Sequence, residues 1–156
     1  MEFLNEIKAK FPALLVGGSS LNENENVLLL KDKTKIKLVC KEIKNHFDIL
    51  FMLMAVDKPP QIFELNYVFS SYKMPSVLTI RVNIGRDEAV IDSISSLFKS
   101  ADWEEREAYD LFGIEFKGHK NLKRILLPED WPGRPLRKDF EVTDEVRNWT
   151  GLDLKF

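Results

Sequence analysis

The residues that could do chemistry are gathered in one short stretch. Glu104, Glu105, Glu107 and Asp110 place four carboxylates within seven positions, and two such groups can act as general acid and general base when they face each other across a substrate. On one short helix they cannot take up that opposed geometry, so glycosidase-type chemistry is not expected. His119 stands between Gly118 and Lys120 with no Ser or Cys in a nucleophile motif nearby, which points to a positioning hydrogen bond instead of general-base work. Neither His46 nor His119 has the Glu-x-x-His spacing of a di-iron bundle. Cys40 is the single cysteine, so a four-thiolate iron–sulfur site cannot form within the chain and a structural zinc site is not expected. Gly17-Gly18-Ser19-Ser20 lacks the Lys-Ser or Lys-Thr of a phosphate loop and reads as a turn. These readings leave no catalytic residue and no metal or cofactor ligand set.

What the carboxylates do build is a charged helix. Asp102 followed by Glu105 has capping-box spacing, Glu104 and Glu105 suit a first turn, and Gly113 stands where a helix would stop, which predicts a helix over 103–112. Trp103, Ala108, Tyr109, Leu111 and Phe112 spread round the cylinder at about 100° per residue, so the helix is expected to be covered on most sides. Arg106 is spaced to pair with Asp102 and to reach Asp110. The cluster either fixes the helix by ion pairs or offers some of its carboxylates to a partner protein. If it is buried, Arg106→Ala should leave Glu107 and Asp110 uncompensated at about 3–5 kcal/mol.

From here a long ordered pattern runs on. Glu105-Arg106-Glu107, Asp110-Leu111-Phe112-Gly113-Ile114, Gly118-His119, Leu122, Arg124-Ile125-Leu126, Gly133 and Pro135-Leu136-Arg137-Lys138-Asp139-Phe140 resemble the signature of the 30-kilodalton subunit of respiratory complex I, the C-type subunit in bacteria. Lys120 stands where that family usually has proline, and Arg134 where it often has histidine. The resemblance implies a member of the peripheral arm of proton-translocating NADH-quinone oxidoreductase that docks on the 49-kilodalton (D-type) subunit, which helps form the quinone pocket. It implies no flavin or cluster in this chain, with NADH, FMN, iron–sulfur clusters and quinone held by partner subunits. Glu105, Arg106, Glu107, Asp110, Phe112, Gly113, His119, Arg124, Trp131, Arg134, Arg137, Lys138, Asp139 and Phe140 would then be structural and interface positions. A similar subunit of a membrane-bound hydrogenase or of a ferredoxin- or F420-linked dehydrogenase carries nearly the same signature.

Charge follows the same division. Arg86 to Glu115 holds nine acidic and three basic residues, whereas Lys117 to Lys138 holds seven Lys or Arg against two acids. A net charge of −2 argues against a generic nucleic-acid binder and leaves a basic arm attracted to an acidic surface. Pro128, Pro132 and Pro135 disfavour a continuous helix, so 117–156 is expected as an extended arm that gains order by lying on something else. Trp131, Arg134, Arg137, Phe140 and Trp149 are residue types enriched at binding hot spots, and partner contact is expected for Trp131 to Phe140. Trp149 could instead tie the terminus back onto its own domain. A free-standing enzyme or nucleic-acid binder using the arm is the reading from another class, and it would require activity or salt-dependent binding by the isolated chain.

The remaining elements must hold this stretch in place. At 156 residues and 44 % hydrophobic, the chain suits one core in a domain over 1–116. Phe3, Leu4, Ile7 and Phe11 predict an opening amphipathic helix, Ala13–Val16 a short strand, Asn22–Asn26 a polar turn and Val27–Leu30 an apolar strand. A helix is expected over Ile36–Phe47, with Cys40 as a small buried residue. The all-apolar Ile49–Val56 reads as a central strand buried on both faces, ended by Asp57-Lys58-Pro59-Pro60. Phe63, Leu65, Tyr67 and Phe69, then Leu78, Ile80, Val82 and Ile84, alternate as the two strands of an antiparallel hairpin. A helix capped by Asp87 is expected over Glu88–Lys99 from Ile91, Ile94 and Phe98. Together these predict an α+β fold, a two-layer domain with a largely antiparallel or mixed sheet covered by helices, plus the C-terminal arm. Met1–Phe11 mixes charges among its apolar residues unlike a secretory signal, and no apolar run approaches membrane-spanning length. The expected place is the cytoplasmic side of the membrane, peripheral, with membrane contact through a complex.

Overall fold

The computed structural model describes residues 2–17, 25–73 and 76–151. Its centre is the hairpin with the cleanest alternation: β4 (Ile62–Ser70) pairs antiparallel with β5 (Val77–Gly85), Leu65 opposite Val82 and Tyr67 opposite Ile80. Period-two patterning sends Phe63, Leu65, Tyr67, Phe69, Leu78, Ile80, Val82 and Ile84 to one face, where all are buried. β1 (Leu15–Gly17), β2 (Glu25–Leu30) and β3 (Ile49–Lys58) complete a five-stranded sheet in the order β1-β2-β5-β4-β3. The β2–β5 pair is parallel and the rest antiparallel, so the sheet is mixed. The expected Asn22–Asn26 turn falls mostly outside the described residues, and Asn26 itself is in β2. α1 (Glu2–Lys10) lays Leu4 and Ile7 on the core. α2 (Ile36–Ile43), entered through a 3-10 turn at Lys33–Lys35, adds Ile36, Val39, Cys40 and Ile43. It ends before Phe47, which is nonetheless buried, and burial pushes the Cys40 thiol well above its usual range.

Three expectations fail here. Ile49–Val56 is no central strand: β3 is an edge strand that leaves Phe51, Met52 and Met54 exposed. Of its other apolar side chains, Leu50 and Leu53 are buried and Ile49, Ala55 and Val56 half-buried, so a continuous apolar run came from one core face and one outward face. The helix expected over Glu88–Lys99 does not form. β6 (Val90–Asp92) pairs parallel with β7 (Glu115–Lys117), and hydrogen-bonded turns follow at 95–97. Ile91, Ile94 and Phe98 are buried as their spacing suggested, but a short strand and turn bury them equally well. The Ser93–Ser95 hydroxyl contact at 2.8 Å shows the local side-chain bonding by which serine competes with helix. The third is the arm, which is not extended to its end, since Asp144–Thr150 forms a short helix, α4, capped by the Thr143 hydroxyl.

α3 (Ala101–Phe112) crosses between β6 and β7 and starts earlier than predicted. Ser100 takes the N-cap position without a side-chain cap bond, so the Asp102–Glu105 capping box is absent. Gly113 ends the helix at φ 73°, as expected of a left-handed C-terminal residue. Among the described residues no helix is long and apolar enough to cross a membrane.

Candidate functional site

Successive positions on α3 turn by about 100°, so the Glu105-Arg106-Glu107 triplet divides into three directions. Glu105 faces the core, where its carboxylate accepts from the Ser93 hydroxyl at 2.6 Å and the Ile94 N–H at 2.7 Å. Burial is the main reason its carboxyl is pushed up to about 7, with Asp102 adding to the rise and the two hydrogen bonds and Lys37 opposing it. Arg106 faces the arm and donates to the Lys123 and Arg124 carbonyls at 3.2 and 3.0 Å, its guanidinium 5.2 Å from the Trp103 ring centre. Glu107 faces solvent.

Asp110, one turn on, is the anchor of the arm. Its Oδ2 accepts three consecutive backbone N–H groups, from Ile125, Leu126 and Leu127 at 3.0, 2.8 and 2.9 Å. Its Oδ1 lies 3.4 Å from the Arg124 guanidinium and 3.8 Å from that of Arg134. Burial alone would raise this carboxyl, but the three N–H donors and Arg124 outweigh it and hold it below the usual range. The Arg106–Asp110 pair expected from spacing is therefore replaced on both sides by the arm. Arg106→Ala leaves Asp110 paired and instead strips two carbonyls of their donor, so denaturant unfolding should show a loss of about 2–3 kcal/mol.

The end of α3 is completed by the same arm. A helix leaves its last carbonyls without partners, and here Asp110 O takes Arg134, Leu111 O takes the Leu136 N–H, and Phe112 O takes Arg137 at 2.6 Å. Cations at this end also suit the helix dipole. Arg134 stands 4.8 Å over the Tyr109 ring and Arg137 5.3 Å over Phe63, whose edge meets Phe112. His119 is buried on the first turn. Its Nδ1 accepts from the Asn121 N–H, so its Nε2 donates to the Asp102 carbonyl at 3.1 Å, the positioning role expected of it.

Further along, Lys138 donates its backbone N–H to Asp57 at 2.8 Å, and Arg86 bridges Asp57 and Asp139 at 3.2 and 2.6 Å. Asp57 and Arg86 went unrecognised in the sequence, where Asp57 read as a strand terminator; a carboxylate directly after an apolar run was the available signal. Phe140 lies over Gly133, and Trp131 packs edge-on against Trp149 at 4.7 Å. Trp149 thus ties the terminus back within the chain. A Cβ at Gly133 would sit 2.7 Å from the Phe140 ring on a residue with φ 85°, so Gly133→Ala should loosen the arm by about 1–3 kcal/mol. Faster trypsin cleavage after Arg137 would report it.

The arm clasped on α3 brings Arg106, Asp110, Phe112, Arg124, Arg137, Lys138 and Asp139 of the recognised pattern into one network, while Glu105 faces the core and Glu107 faces solvent. The family model for the respiratory-chain NADH dehydrogenase 30 Kd subunit matches residues 29–146, which span β3, β4, β5, α3 and the clasp. The chain belongs to this family. A 30 Kd subunit relative, the C-type subunit of NADH-quinone oxidoreductase from Citrifermentans bemidjiense, is 38 % identical over 88 % of this chain and 86 % of its own length. The C-type subunit of F(420)H(2) dehydrogenase from Methanosarcina mazei is 37 % identical over 88 % and 89 %. Among solved structures, a trypsin-resistant fragment of Nqo5 matches with a TM-score of 0.64 at 25 % identity, covering 78 % of this chain and 97 % of the fragment. A chain of the membrane-bound sulfane sulfur reductase, an archaeal respiratory membrane complex, shares the 30 Kd subunit fold with a TM-score of 0.82 at 23 % identity, over 99 % and 93 %.

Proposed function

We propose that this chain is a non-redox structural and assembly subunit of the peripheral arm of a proton-translocating NADH-quinone oxidoreductase. It docks on the 49-kilodalton-type subunit that forms the quinone site and carries no cofactor of its own, while NADH, FMN, iron–sulfur clusters and quinone are handled by its partners. It sits on the cytoplasmic side of the membrane and meets the membrane through the complex. The observation that carries this reading is the clasp: backbone without regular secondary structure is fixed by Asp110, Arg106 and the end of α3, and it turns Leu126 and Leu136 outward at 60 % and 51 % exposure. A pre-ordered segment with outward apolar side chains binds without a large ordering cost. The kinship to an F(420)H(2) dehydrogenase subunit supports a second reading in which the same arm serves a complex with another electron donor.

Gentle detergent purification from native membranes through a tag at Met1, followed by mass spectrometry, separates these. Flavin, iron–sulfur and quinone-site subunits in equal amounts are expected. Nickel–iron hydrogenase or F420-oxidising subunits would move the assignment to the second reading, and a chain recovered alone would end both.

A further inference from the structure

β3 carries a register shift between Leu50 and Met52. Strict alternation would turn Phe51 and Met52 to opposite faces, whereas here Leu50 and Leu53 are both buried and the two residues between them are both exposed. Bulges of this kind re-aim side chains. Two hydrogen bonds tie this segment to α3: Ser100 Oγ donates to the Leu50 carbonyl at 2.7 Å, and the Leu53 N–H donates to Glu104 at 3.2 Å. Phe51 and Met52 lie between the ties on the strand, and Trp103 lies between them on the helix. Phe51 is 66 % exposed and Trp103 61 %, with Met54 continuing the apolar stretch at 47 %. Large apolar residues exposed together along one seam mark an interaction site.

We propose that this β3–α3 seam is a second docking surface, separate from the arm, for a segment of a neighbouring subunit that presents a large apolar side chain between Lys or Arg residues. The charge around the seam selects that occupant. Glu107, one turn beyond Trp103, is exposed with no salt bridge among the described residues, and Asp102 and Glu104 flank Trp103, so three carboxylates outnumber the one cation at that ring, Arg106, which donates to the Lys123 and Arg124 carbonyls. These carboxylates repel an anionic lipid surface, and a second copy of the same seam would bring like charges together. Met52 and Met54 give the strand side an adaptable surface, while Phe51 and Trp103 provide the anchors.

The inference rests on the chain being a complex subunit, and its test is made in the purified complex. Photocrosslinking p-benzoylphenylalanine is placed at position 51 and, separately, at 103, and the linked peptides are sequenced. Both positions are expected to link to one neighbouring subunit, at a peptide with Lys or Arg beside a large apolar residue. Phe51→Asp and Glu107→Lys, both at exposed sites, should lower recovery of that subunit about tenfold or more, whereas Val16→Asp, at an exposed residue of β1 on the opposite edge of the sheet, should not. Links confined to lipid, to a second copy of this chain or to an acidic peptide overturn the proposal, as does an intact complex with no link. A chain recovered without partners overturns the subunit reading and this inference with it.

Discussion

Replacing Asp110 by alanine is expected to release the arm while leaving the sheet folded. Three backbone N–H groups converge on one carboxylate oxygen, and two guanidiniums lie beside the other. Removing one partner of a buried, charge-assisted network costs about 3–5 kcal/mol because the remaining groups lose their compensation. The arginines are partly exposed and regain water, so the lower part of that range applies. Local opening at 122–127 should then become roughly a hundredfold more frequent, since each 1.4 kcal/mol is about a factor of ten. Trypsin cleavage after Lys123 and Arg124 reads this directly. Asp110→Asn keeps one acceptor oxygen and should lie between alanine and the native protein. Glu107→Ala, on the solvent side of the same helix, should change stability by less than about 0.5 kcal/mol. Acid has the same effect as the substitution. The folded pKa of Asp110 is lowered from 3.8, so its contribution is present above that value and is lost as pH falls through the folded pKa. An arm as protease-resistant in Asp110→Ala as in the native chain would show that the helix end and the Asp57 contact hold it alone.

How much of this was legible depended on whether a residue's partner leaves a trace in sequence. β4 and β5 were readable because each strand buries alternate residues, a period no helix imitates. Gly113 was readable because a left-handed helix end narrows the choice of residue. β3 misled because its exposed face is also apolar, and apolarity was taken as burial; Phe51 and Met52 are exceptions of the kind that functional surfaces produce. Glu88–Lys99 misled because Ile91, Ile94 and Phe98 satisfy a helical period and a strand-plus-turn alike. Asp110 was assigned a side-chain partner at helical spacing, whereas its partners are backbone N–H groups fifteen to seventeen residues away. Backbone donors have no residue type, so spacing could not have found them. The clasp was visible as a recognised pattern before its chemistry was.

The second large effect concerns Glu105 and runs with the opposite sign. Its carboxyl rises from 4.5 in the unfolded chain to about 7 in the fold. Below pH 4.5 it is neutral in both states and its contribution to stability is fully present. As pH rises from about 4.5 toward 7 the unfolded chain ionises first, and the contribution is lost by the time the folded pKa is passed. At 1.36 kcal/mol per pKa unit the loss amounts to about 3 kcal/mol between pH 4.5 and 8. Urea unfolding of Glu105→Gln should show this term missing, because the glutamine carbonyl can still accept the Ile94 N–H and its NH2 can donate to the Ser93 hydroxyl, but the side chain cannot ionise. The difference between the two proteins should therefore grow in favour of the variant as pH rises from 5 to 8. Taking that difference cancels groups distant from Glu105, and Asp110 acts only at lower pH. Parallel pH profiles would show that the folded protein hydrates the ionised carboxylate. If the expected divergence is found, α3 holds two carboxylates tuned in opposite directions: Asp110 stays ionised to gather the arm's N–H groups, and Glu105 is held largely neutral at pH values below about 7, where the core excludes charge. About a turn and a half of helix separates them, and what differs is the number of donors each meets after burial.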